Sequence, residues 1–174
     1  MLFLIFLLFI SCSDDFKVNT REQQVLFQYE YINYAWSYQH SGWFIDTSGN
    51  LIRYNMPSKW NYPDTLGFID DTALINNLDL CYESGAILPK LDLQAKIRLI
   101  DKAAKGTLTK PRYEMADAGI QRYSAFLYNK DTKKYKRILL YQWGDELIEN
   151  TSSEAKELQK WMAEINQMDT FQPY

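Results

Sequence analysis

The chain has 174 residues, with 19 Lys and Arg against 22 Asp and Glu, a formal net charge of −3 and one histidine. A chain of this order fits a single domain whose core stands without disulfides or metal. The cations are scattered among acids, which excludes the basic stripe that tracks a phosphate backbone, so nucleic acid is not an expected partner.

Leu2 to Ile10 is an unbroken run of Leu, Phe and Ile. It falls well short of the roughly 20 residues that a membrane-spanning helix needs and has the length of a signal-peptide core. Phe9-Ile10-Ser11-Cys12 follows, and it resembles the lipobox of bacterial lipoproteins, in which apolar residues and a small residue precede the cysteine that becomes the new N-terminus. The resemblance implies cleavage before Cys12, a diacylglyceryl group on its sulfur and a domain held to a membrane of the cell envelope. Ser13-Asp14-Asp15 resembles the acidic signal that sends lipoproteins of the Bacteroidetes group to the face of the outer membrane, while a plain polar tether reads the same. Ser11 and Ser13 are also spaced like the site of an ordinary secretory signal cut after Ser13, and an uncleaved anchor is a third reading. The expected organisation is a signal peptide over 1–11, a lipidated tether over 12–21 and one globular domain over 22–174. With Cys12 lipidated, Cys81 has no partner for a disulfide.

In the body, Phe27, Tyr29 and Tyr31 alternate with Gln28 and Glu30, the period of a half-buried strand, within an aromatic-rich stretch from Val25 to Trp36. Gly42 to Asp46 and Leu51 to Tyr54 flank Thr47-Ser48-Gly49-Asn50 and predict a hairpin. Pro57, Pro63 and Gly67 mark an ordered loop from Asn55 to Gly67. A helix capped by Asp70 or Asp71 follows, with Leu74, Leu78 and Cys81 on one face; Leu91, Ala95 and Leu99 mark the next, beyond Gly85 and Pro89. Tyr123 to Asn129 and Tyr135 to Trp143 read as a second hairpin ended by Gly144. Thr151 and Glu154 form a capping-box pattern before Ala155, Leu158, Met162 and Ile165 at helical spacing. The order predicts an α+β fold, an antiparallel sheet of about five strands with about three helices against one face.

No catalytic constellation stands out, and no cofactor or metal is expected. His40 is the only histidine, which removes the usual multi-histidine zinc site; no G-x-S-x-G motif supports a serine triad built on it, and Cys81 beside Leu78 reads as buried and inert. Asp46 to Asn50 superficially resembles a calcium loop, but its glycine comes one place early and no acid closes it, so a turn is the better reading. Asp70-Asp71 and Asp145-Glu146 read as capping or solvated pairs rather than as acid and base.

The remaining feature is an aromatic cluster, Trp36, Tyr38, Trp43, Tyr54, Trp60 and Tyr62, whose rings either stack on sugars, anchor a protein interface or fill the core. Trp36, Trp43, Tyr54, Trp60 and Tyr62 are the candidate binding residues. Asp64-Thr65-Leu66 and Asp71-Thr72-Ala73 match a short pattern that resembles the O-glycosylation sites of the Bacteroidetes group, which makes Thr65 and Thr72 candidate acceptors. The favoured expectation is a non-enzymatic, lipid-anchored envelope module that binds a glycan or a protein. A hydrolase using carboxylates brought together by folding is the second reading, and a structural or inhibitory subunit of an envelope complex is the third.

Overall fold

The computed structural model describes residues 15–169, so the expected signal peptide, Cys12 and Ser13-Asp14 lie outside the described residues. Among the described residues the chain is α+β, as its pattern predicts, but with nine strands in one open antiparallel sheet rather than about five. In chain order these are β1 (Val25–Asn33), β2 (Gln39–Asp46), β3 (Asn50–Asn55), β4 (Phe68–Asp70), α1 (Asp71–Leu78), β5 (Tyr82–Ile87), α2 (Lys90–Ala103), β6 (Arg112–Tyr113), β7 (Ile120–Asn129), β8 (Lys134–Gly144), β9 (Glu146–Glu149) and α3 (Ser153–Asp169). The sheet runs β5-β3-β2-β1-β7-β8-β9-β6, and β4 pairs with the start of β8. The expected hairpins are both present, β2 with β3 and β7 with β8, and β1 joins them at the centre. The additional strands, β4, β5, β6 and β9, are short and lie outside this centre.

The sheet is covered on both sides, which corrects the expectation that all helices share one face. On one side α2 and α3 pack Leu93, Ile100, Leu158 and Met162 onto Phe27, Trp43, Ile45 and Leu140. Trp161 Nε1 donates to Asp92 Oδ2 at 2.8 Å and joins the two helices. On the other side α1 and the segment leading into it place Leu74, Ile69 and the half-buried Trp60 against Phe44, Tyr54, Phe126 and Tyr135. Strands sandwiched in this way bury residues of both parities. Gln28 and Glu30, the polar half of the alternation in β1, are accordingly buried.

Several boundaries differ from the sequence reading for local reasons. β1 ends at Asn33 rather than Trp36 because the Asn33 side chain takes over the turn: its Oδ1 accepts from Ala35 N at 2.8 Å and its Nδ2 donates to Asp117 O at 3.2 Å. The N-terminal cap of α3 is Ser152, whose Oγ accepts from Ala155 N at 3.1 Å, while the Thr151 hydroxyl bonds Thr107. α1 stops at Leu78, before Cys81. The described part of the expected tether is docked: Lys17 bridges to Tyr128 at the end of β7, and the Phe16 ring lies 5.3 Å from that of Phe68.

Gly42 in β2 shows how tightly the second face is built. A Cβ there would meet the Tyr29 carbonyl oxygen and would come within 2.5 Å of the Tyr54 hydroxyl, so only glycine lets Tyr54 lie across β2. Gly42→Ala is expected to lower stability by about 1–3 kcal/mol, as overpacked core sites do, in urea or thermal denaturation followed by circular dichroism.

Candidate functional site

The register of the central strands lines up Tyr54, Gly42, Glu30, Arg122 and Gln142 as cross-strand neighbours from β3 to β8. This row crosses the face under α1 and the segment before it. Glu30 is its hub. One carboxylate oxygen accepts from His40 Nε2 at 3.1 Å and the other from Arg122 Nη1 at 2.9 Å, while Arg122 Nε donates to Gln142 Oε1 at 2.8 Å. Gln28 Nε2 donates to the Tyr54 hydroxyl at 3.0 Å, and that hydroxyl donates to Tyr29 O at 3.2 Å. Glu30 and His40 are fully buried. Burial, the largest single influence, pushes the Glu30 carboxyl up, but the hydrogen bond from His40 and the charges of Arg122 and Arg137 together outweigh it and hold the group below its ordinary range. Nearby, burial and then the Glu30 charge push the Tyr54 phenol well up.

An aromatic wall stands over this row. The His40 ring meets Trp60 edge-on at 5.0 Å, Tyr54 edge-on at 5.1 Å and Tyr62 in a stack at 5.8 Å. Its Nδ1 faces the Tyr38 hydroxyl at 3.2 Å. Trp60 lies 4.3 Å from Tyr54, centroid to centroid, and stacks on Phe44 at 5.9 Å. Asn61 fixes the loop, since its backbone N donates to Asn77 Oδ1 at 2.8 Å while Asn77 Nδ2 donates back to Asn61 O at 2.8 Å. The outer side of this wall borders an open groove of about 460 Å³ lined by Trp60, Asn61, Tyr62, Asp64, Phe68, Ile69, Asp70, Ala73 and Lys134. Its size is that of a small-ligand site, and it combines three aromatic side chains with an amide, two carboxylates and an ammonium. A second groove, of about 840 Å³, runs along α2 past Lys90, Gln94 and Arg98, and no aromatic residue lines it.

The sequence-derived candidates therefore separate. Trp60 and Tyr62 share the groove. Trp43 and Tyr54 are core residues on opposite faces of the sheet, at 2% and 1% exposure, which corrects their reading as binding platforms. Trp36 is 79% exposed in the loop between β1 and β2, beside Tyr34 and Tyr38. Thr65 and Thr72 are both exposed, one in the turn before β4 and one in the first turn of α1. The Glu30, His40 and Arg122 cluster was not among the candidates; its members are 10 and 92 residues apart in sequence, and only pairing of the strands joins them.

Asp46, Asp64, Asp70, Asp145 and Cys81 have structural partners. Asp46 closes the β2–β3 turn, with Oδ1 accepting from Ser48 N and Asn50 N at 2.9 and 2.8 Å. Asp64 Oδ1 accepts from Leu66 N and Phe68 N, Asp70 faces Lys134 at 3.6 Å, and Asp145 Oδ1 accepts from Ala118 N and Gly119 N. Cys81 is half-buried, donates to Asn77 O at 3.2 Å, and burial pushes its thiol up to about 12, so it stays protonated at neutral pH. Among the described residues no helix is long and apolar enough to cross a membrane. No family model matches the chain, and no curated protein or solved structure is detectably similar to it.

The cluster sets an expected acid limb. A carboxyl held low in the folded state stabilises it fully above the ordinary value of 4.5, and this contribution fades as pH falls through the folded value below that. Urea denaturation from pH 7 downward is expected to show stability falling below about pH 4.5, with a shallower fall in Glu30→Gln. At neutral pH Glu30→Ala, which strands the cations, is expected to cost about 3–5 kcal/mol.

Proposed function

We propose that this chain is a lipid-anchored protein of the cell envelope that binds a glycan in the groove beside Trp60 and Tyr62. The observation that carries the binding reading is the composition of that groove. Indole and phenol faces cover the apolar face of a sugar, the second oxygens of Asp64 and Asp70 offer acceptors to its hydroxyls, and Lys134 offers a donor. Trp60 is held for this work from behind, by Tyr54, Phe44 and His40, so its ring needs little ordering on binding. Asp64 and Asp70 are already engaged by the turn and by Lys134, which favours binding over the paired-carboxylate hydrolysis considered from the sequence.

The anchor rests on the lipobox-like Phe9-Ile10-Ser11-Cys12. The docked Phe16 and Lys17 lie at the Tyr128 end of β7, whereas the loop carrying Trp36 follows the end of β1 that pairs with Ile120. The length of β7, at roughly 3.3 Å per residue, separates the two ends by about 30 Å. A lipid on Cys12 would thus hold the first end near the bilayer and turn Tyr34 and Trp36 outward, where they are available to an envelope partner.

Two measurements test the proposal separately. Tryptophan fluorescence of the signal-free chain is expected to shift on adding a cognate polysaccharide from a broad glycan panel, and Trp60→Ala is expected to abolish the shift; silence across the panel contradicts the groove assignment. The N-terminal tryptic peptide ending at Lys17, taken from membranes, is expected to begin at Cys12 and to carry at least a diacylglyceryl mass. An unmodified peptide beginning at Asp14 contradicts the anchor.

A further inference from the structure

Beside the groove, a hydroxyl, an imidazole and a carboxylate stand in line: Tyr38 Oη to His40 Nδ1 at 3.2 Å, and His40 Nε2 to Glu30 Oε1 at 3.1 Å. An ionised carboxylate only accepts, so the bond between His40 and Glu30 makes Nε2 the donor. In the neutral ring that leaves Nδ1 as the acceptor of the Tyr38 proton. Arg122 at 2.9 Å holds Glu30 from its other oxygen, so the carboxylate has a fixed direction and a standing counter-charge. A nucleophile in reach of a base that is itself oriented by a third group is the arrangement that activates hydroxyls in covalent catalysis. Glu30 and His40 are sealed from solvent, and Tyr38, 40% exposed, is the member of the line that reaches the surface. The Tyr34 ring lies 5.5 Å from that of Tyr38, and the Tyr62 hydroxyl interacts with the hydroxyls of both.

We propose that Tyr38 is a nucleophile, activated by His40 and Glu30, that accepts an acyl group from an activated ester. The phenolic oxygen attacks the acyl carbon, and the proton moves from Oη to His40 Nδ1. The carbonyl re-forms as the ester C–O bond breaks, and the leaving group departs with the bonding pair. Glu30 stabilises the imidazolium in the interval, and the proton passes from Nδ1 to the departing oxygen as it leaves on the Tyr38 side, so His40 returns to its neutral form and an O-acyl tyrosine remains. This chemistry does not depend on the glycan reading, since Tyr38, His40 and Glu30 are not among the residues that line the groove.

The test uses p-nitrophenyl acetate on the folded, signal-free chain, with p-nitrophenolate release followed by absorbance and the acetylated residues identified by peptide mass spectrometry. Tyr113, 70% exposed, is the internal reference. Acetyl on Tyr38 is expected to exceed that on Tyr113 by at least about tenfold, which is modest for general-base assistance. Tyr38→Phe is expected to remove the fast phase of release while leaving any glycan-induced fluorescence shift in place. In a folded His40→Gln variant the Tyr38 to Tyr113 ratio is expected to fall towards one. Acetyl on Tyr38 no greater than on Tyr113 in the unaltered protein overturns the proposal, whether or not the His40 variant folds.

Discussion

Moving a carboxylate from water into a protein interior costs several kcal/mol unless other charges and donors replace the solvent, and Glu30 sits in the middle strand of this sheet with its whole side chain out of water. That placement is tolerable only if β1 lies between β2 and β7 in one register. The register puts Arg122 directly opposite Glu30 and brings His40, two residues along β2 from Gly42, over the second oxygen. Slipping either neighbour by one residue would turn its partner to the other face and strand the charge. The same register aligns Gly42 with Tyr54, and the missing Cβ at Gly42 lets the Tyr54 hydroxyl reach Gln28 and Tyr29. The ionic row thus fixes the alignment of the strands on which the rest of that face is assembled.

The two faces of the sheet divide the labour. Under α2 and α3 the packing is apolar, with polar ties at the rim such as Lys96 to Glu157 at 2.8 Å. Under α1 and the segment before it, apolar residues at the Tyr135 end give way to the charged row and its aromatic wall towards the Tyr38 end. Trp60 belongs to both systems: one side of its environment is His40, Tyr54 and Phe44, and the other is the groove. A surface ring backed by a buried polar network is rigid without being deeply buried itself, which is what a binding platform requires.

How far the sequence was legible follows the range of the interactions. The hairpin turn at Asp46 to Asn50 and the apolar stripe of α3 were readable because their determinants lie within a few residues. β4, β6 and β9 are two to four residues long, too short to show a period, and β5 carries Gly85 with φ +76° and mostly exposed side chains. Gln28 and Glu30 read as the solvent side of β1 because alternation reports polarity rather than burial. Their partners come from β2, β3 and β7, and nothing local announces them. The aromatic candidates were ambiguous for the same reason. Trp43 and Trp60 are alike as residue types; pairing directs Trp43 towards α3, where its Nε1 donates to Asn166, while the loop anchored by Asn61 and Asn77 holds Trp60 at the groove.

Glu30 and Arg122, paired across β1 and β7, act as one unit in setting the face that carries the groove and Tyr38. A double-mutant cycle measures this most directly, comparing Glu30→Gln, Arg122→Met and the paired change by urea denaturation at neutral pH. The double variant is expected to lose less stability than the two single losses combined, with a coupling of about 1–3 kcal/mol. Additive losses, with a coupling near zero, would contradict it.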